Sequence, residues 1–117
     1  MGRYVLAEDY VRALRGRDAL IADVDAALAG RDGLLLPTMP IAAPKLGTVT
    51  VSLGGKDEPV RNVMLRLTQP FNISGHAAIS IPCGTISEGL PVGAQIVAAR
   101  TTDVLELGSC LEPILTS

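Results

Sequence analysis

Aromatic residues are scarce in this chain: no Trp, two Tyr and one Phe among 117 residues. Its core must therefore be filled by Val, Ile, Leu and Ala, the residues that suit a buried sheet covered by helices. Cysteine is nearly as rare. Cys83 and Cys110 are too few and too far apart for a disulfide scaffold or a zinc knuckle, and both read as reduced thiols of a cytoplasmic protein. The Asn72-Ile73-Ser74 sequon is then accidental, because glycosylation requires secretion. Charge of one sign is lacking too: 10 Lys and Arg against 12 Asp and Glu leave a formal charge of −2. No basic field is available, so nucleic acid is not an expected partner. No apolar run reaches the roughly 18 residues that span a bilayer. The stretch Met1–Leu6 has neither a signal-peptide pattern nor the Ser or Thr at position 6 that myristoylation needs. One histidine and two distant cysteines make no metal-ligand set, and Asp57-Glu58 reads as a solvated turn. Gly84, Gly89 and Gly93 are not followed by Lys-Ser/Thr, which excludes a phosphate loop. No cofactor is expected.

What is present is a chain that is 48% hydrophobic and long enough for one domain across residues 1–117. From Glu8 to Leu28 the apolar residues Tyr10, Leu14, Leu20, Ile21, Val24 and Leu28 fall at helical spacing. Gly16 weakens the middle, so one kinked helix or two helices both fit, and Gly30 is placed to cap the end. Leu34-Leu35-Leu36, closed by Pro37, reads as a buried strand. Thr38 to Lys45, with Pro40 and Pro44, reads as an ordered loop. Thr48 to Leu53 alternates and ends at Gly54-Gly55, as a half-exposed strand or hairpin arm does. Pro59 to Thr68 predicts a short helix with Val63, Met64 and Leu67 inward. Ala77–Ile81 and Val92–Val97 predict a hairpin of two apolar strands joined by an exposed loop from Thr85 to Glu88. Asp103 is expected to cap a closing helix, with Glu106 completing an acidic capping box and Pro113 disturbing its end. The order implies an α/β class, a small mixed sheet flanked by helices.

The run Thr68-Gln-Pro-Phe-Asn-Ile-Ser-Gly-His-Ala-Ala-Ile-Ser-Ile-Pro-Cys-Gly, continuing through Gly89-Leu90-Pro91-Val92-Gly93-Ala94-Gln95, is the most specific stretch. With Asp32-Gly33-Leu34-Leu35-Leu36-Pro37-Thr38-Met39-Pro40-Ile41-Ala42-Ala43-Pro44 upstream, and Tyr10 through Arg17 before that, it resembles the C-terminal third of amidase-signature hydrolases. Pro70, Asn72, Gly75, Pro82, Gly84, Gly89, Pro91, Gly93 and Gln95 stand where that pattern places them. His76 and Ala77 depart from it, since a small apolar residue or Leu followed by Pro is more usual there. The resemblance implies a partial amidase-signature fold related to hydrolases of amide (C–N) bonds. It also implies that the Gln69–His76 segment, with Gln69, Asn72, Gly75 and His76, faces the substrate cleft. The family's chemistry uses a Ser–Ser–Lys constellation on a Gly/Ser-rich segment, and these residues hold no such segment. The only lysines are Lys45 and Lys56, and no serine follows Gly54-Gly55-Lys56 as a catalytic turn would need. No family catalytic role falls on any position.

From the residues alone, Asn72 and Gly75 read as fixing a turn. His76 lies close in sequence to Ser74 and Ser80 and is a candidate base beside a serine, although such sites are recognised by geometry. Cys83 at a strand end is a candidate thiol nucleophile or a small buried hydrophobe. Asp23, Asp25 and Asp32 read as surface charges.

Three expectations follow. The first is a truncated homologue, inactive alone and requiring a missing N-terminal amidase portion, with Met1 a native start or a product of truncation. The second is a non-catalytic oligomeric structural or binding module. The third is a compact esterase or amidase with a site outside the family pattern, drawn from Ser74, His76, Ser80 or Cys83. Unpaired strand edges and an uncovered face favour association, so a homo-oligomer is expected.

Overall fold

The chain begins its described course, residues 4–117 of a computed structural model, with one continuous helix, α1 (Ala7–Leu28). Gly16 does not divide it in two. A Cβ at Gly16 would meet nothing within 4 Å. Gly16→Ala is therefore expected to stabilise the chain by about 0.5–1 kcal/mol, read as a raised urea midpoint at unchanged slope. Gly30 follows the helix with φ +68°, the left-handed conformation that ends helices. Of the amino-terminal reading, residues 1–3 lie outside the described residues.

The remaining elements are β1 (Leu34–Pro37), β2 (Thr50–Leu53), β3 (Lys56–Pro59), α2 (Val60–Leu65), α3 (Gln69–Ser74), β4 (Ala77–Thr85), β5 (Pro91–Ala98) and α4 (Thr101–Leu115). One sheet has the order β1-β5-β4 and the other pairs β2 with β3, antiparallel throughout. Small sheets flanked by helices make the α/β class as expected.

β5 is the centre. Its partners are Leu34–Pro37 on one side and Ala77–Thr85 on the other. Successive side chains of a strand point to opposite faces. Ala94, Ile96 and Ala98 lie on the face that α4 covers, where Gly108 brings that helix against Ile79 and Ile81. Val97, on the other face, packs with Val24 and Leu28 of α1, Phe71 of α3, and Leu34 and Leu36 of β1. Buried Gln95 shares that face and donates from Nε2 to the Leu67 carbonyl at 2.9 Å, tying the sheet to the α2–α3 connection.

Several local expectations are corrected. Most of the Gln69–His76 segment, Gln69–Ser74, is helix rather than turn: Pro70 sits in its first turn, where a missing amide costs nothing, and Gly75 ends it at φ +80°. Asn72 is thus a helical residue. β4 does not stop at Ile81 but runs through Pro82 to Thr85 with an irregular register. It is an edge strand, where a proline's missing amide is tolerated. Lys56–Pro59 is a strand despite its charges, because Gly54 and Gly55, at φ +59° and +79°, fold it back on β2. Glu58 of that strand pairs with Arg66 beyond α2. Asp103 is not the cap of α4, which starts after Arg100. Its carboxylate accepts two bonds from the Arg100 guanidinium, at 2.6 and 2.9 Å, and this charge-assisted pair replaces the capping bond. Hydrogen bonding to Arg100 holds the Asp103 carboxyl below the usual carboxylate range.

Among the described residues no helix is long and apolar enough to cross a membrane.

Candidate functional site

Two places gather the chemistry-bearing side chains, at opposite ends of β4. The first is an open groove of about 820 Å³ where the end of β1, the following Pro-rich loop, β4 and the start of β5 meet. Thr38 continues the β1–β5 pairing, its amide donating to the Gly93 carbonyl at 2.9 Å. This places the Thr38 hydroxyl 2.5 Å from the Ser80 hydroxyl of β4. Gly93 lies between them, and a Cβ there would sit 2.8 Å from both hydroxyl oxygens. The rest of the lining is apolar, with Leu35, Met39, Ile41, Val92 and Leu115 prominent, and it includes no ionisable side chain except the half-buried Cys83 thiol.

The second place is a linear hydrogen-bonded array. His76, just before β4, has Nδ1 2.8 Å from the Ser74 hydroxyl and Nε2 2.8 Å from Oδ1 of Asp25 on α1. Ser74 also lies 3.3 Å from the Phe71 carbonyl. With Nε2–H donating to Asp25, the ring's Nδ1 accepts from Ser74, the order of groups found in serine hydrolases. Acyl transfer also requires an accessible hydroxyl and donors aimed at a developing oxyanion. Ser74 is buried at the end of α3 and lines neither principal cavity. The array is a clasp between α1 and the α3–β4 corner. A second tie, from Arg17 Nε to the Ile73 carbonyl at 2.8 Å, joins the same helices. His76→Ala is expected to cost about 1–2 kcal/mol, as loss of a hydrogen-bonded pair does, and to speed amide exchange at Gly75 and Ala77.

The sequence candidates thus divide. Ser80 and Cys83 line the groove, while Ser74 and His76 form the clasp. Gln69 and Asn72 are exposed on α3, and Gly75 ends that helix; none of the three, nor His76, lines the groove. Sequence reasoning missed Thr38 and Gly93 as partners of Ser80, and it left Asp25 among the surface charges. No spacing signal links residues 42 or 51 positions apart, the separations of Thr38–Ser80 and Asp25–His76. Among the described residues no group of three or more His, Cys, Asp or Glu is placed to hold a metal ion.

The amidase family model matches residues 1–107. A 6-aminohexanoate-cyclic-dimer hydrolase from Paenarthrobacter ureafaciens is 40% identical over 91 residues, covering 70% of this chain and 18% of the hydrolase. A glutamyl-tRNA(Gln) amidotransferase polypeptide from Methylacidiphilum infernorum is 33% identical over 116 residues, covering 92% of this chain and 22% of that polypeptide. An amidase crystal structure superposes with a TM-score of 0.90 at 38% identity, over 97% of this chain and 26% of that one. The chain spans about a fifth to a quarter of the length of these relatives.

Proposed function

This chain belongs to the amidase family, and we propose that residues 1–117 form one wall of an amide-bond hydrolase whose nucleophile lies outside them. The observation that carries this reading is the mismatch between fold and chemistry. The fold follows a family structure over nearly the whole chain, yet the one Ser–His–Asp alignment is a clasp whose serine is buried, and no Ser–Ser–Lys set is present. A nucleophile needs a base beside it and donors for the oxyanion, and these residues do not supply that combination. The nucleophile comes from further residues of the same polypeptide or from another chain.

Uncovered apolar surface supports the same reading. Leu6, Tyr10 and Leu14 form a stripe at four-residue spacing along the start of α1 and are 66, 61 and 41% exposed. Apolar stripes of this kind mark surfaces that another body covers. The test is hydrolysis of short p-nitrophenyl esters and simple aryl amides by the purified chain, with Ser80→Ala, His76→Ala and Cys83→Ala as controls. No turnover above the buffer blank is expected. Turnover abolished by one of these substitutions would replace this reading with that of a compact autonomous enzyme.

The same stripe favours a second reading for the isolated chain, a non-catalytic module that self-associates along α1. Light scattering after size exclusion checks it: a dimer that Tyr10→Glu converts to monomer is expected, and a monomer at all concentrations contradicts it.

A further inference from the structure

We propose that the start of α1 is an exchanged arm: in a two-fold pair of chains, Leu6, Tyr10 and Leu14 of each copy lie in the apolar trough between β1 and α4 of the other. The inference rests on the self-association reading above and adds to it the surface that receives the arm.

The trough follows from the sheet. Leu35 pairs with Ile96, so their side chains share one face. α4 packs on that face over β4 and β5, and Leu35 stays 60% exposed. Leu35 of β1 and Leu107 and Leu111 of α4 line the trough together with Ile96, around a volume of about 360 Å³. Neighbouring strands lie about 4.8 Å apart, and packed helices about 8–10 Å apart. A second helix laid beside α4 therefore falls over β1, where the trough is.

The arm is built to enter such a place. α1 is buried only at Val24 and Leu28, and every residue from Ala7 to Ala19 is exposed. That stretch is roughly 20 Å long at about 1.5 Å per residue. At helical spacing Tyr10 and Leu14 lie on the face that further along buries Val24 and Leu28, so an apolar stripe runs on past the end of its own core. The chain's own arm does not fill its trough, because α1 packs on the Val97 face, across the sheet from α4. A second copy supplies the arm, and reciprocal exchange closes the pair with two identical contacts and no trough left open. The charges agree. Arg31 and Asp32 stand at the end of the trough and Arg15 borders the stripe on the arm, and none of the three is ion-paired among the described residues. Asp32 of one copy is thus available to Arg15 of the other.

The experiment measures dimer dissociation by analytical ultracentrifugation for the full chain and for two variants at exposed positions, Tyr10→Lys on the arm and Leu35→Glu in the trough, alone and mixed. Each variant alone is expected to weaken the dimer about tenfold or more, with circular dichroism showing that the fold is kept. Mixed in equal amounts, the two are expected to pair to within about tenfold of the unaltered chain, because one contact is then intact and the other sets Lys against Glu. Leu35→Thr, which suits a strand, takes the same place in the comparison should the Glu variant not fold. Dimerisation lost in Tyr10→Lys but unchanged in both Leu35 variants overturns the trough and leaves self-association through α1 standing. Failure of the two variants to pair with each other overturns the exchange. A chain that is monomeric at every concentration overturns the proposal and the self-association reading together, and leaves arm and trough to be covered by a different polypeptide.

Discussion

Ile96→Ala is expected to destabilise the chain by about 2–5 kcal/mol, the range for removing a large aliphatic side chain from a packed core. Ile96 is 2% exposed and is among the largest fully buried side chains. It sits in the central strand, paired to Leu35 on one side and Ile79 on the other. Since native domains are stable by roughly 5–15 kcal/mol, the substitution removes a large share of the total. Urea denaturation followed by circular dichroism measures it. A loss below about 1 kcal/mol would mean that α4 does not pack on this face as described.

Gly33→Ala carries the second large effect, and it reverses the sign expected at Gly16. A Cβ at Gly33 would lie 2.9 Å from the Val97 carbonyl oxygen and 2.9 Å from a methyl carbon of Leu107. The Leu107 side chain can move, but the carbonyl belongs to the central strand and cannot move without disturbing its pairing. Overpacking of this kind costs about 1–3 kcal/mol. Backbone strain plays no part, because Gly33 is not among the glycines with positive φ. The same chemical change therefore stabilises a helix at an open position and destabilises the chain where β1 passes under α4. A differential denaturation of the two variants reads both signs in one experiment, and stabilisation by Gly33→Ala would contradict the packing of β1 against β5 and α4.

The elements that were legible in the sequence are those whose pattern is local. The helical spacing from Tyr10 to Leu28, the apolar run at Leu34–Leu36 and the paired runs at Ala77 and Val92 each carry their own periodicity, and each became the expected element. The misreadings share a cause: local propensity was outweighed by a partner or a neighbour. Gln69–Ser74 contains Pro, Asn and Ser, which favour turns, yet Phe71 anchors it as a helix in the core. Lys56-Asp57-Glu58 is too charged to read as a strand, yet the two glycines before it impose the hairpin. Asp103 has the chemistry of a cap but finds Arg100 first.

The site was less legible than the fold. Ser80 and Cys83 were named from sequence, but what gives Ser80 a role is Thr38 across the sheet and the missing side chain of Gly93. Gly93 fits the family pattern without revealing why a glycine stands there; the reason is a close approach that only coordinates show. His76 drew attention as the lone histidine, and the structure gives it two partners while burying the serine that would have made the array catalytic.

The most direct test of the central claim, that residues 1–117 hold no competent nucleophile, is reaction of the purified chain with a fluorophosphonate followed by intact-mass and peptide mass spectrometry. An activated serine displaces fluoride and retains the phosphonyl group, whereas an unactivated one does not react at a comparable rate. The account predicts an unchanged mass. A single phosphonyl adduct on Ser74 or Ser80, lost with His76→Ala, would contradict it and make this chain a serine hydrolase in its own right.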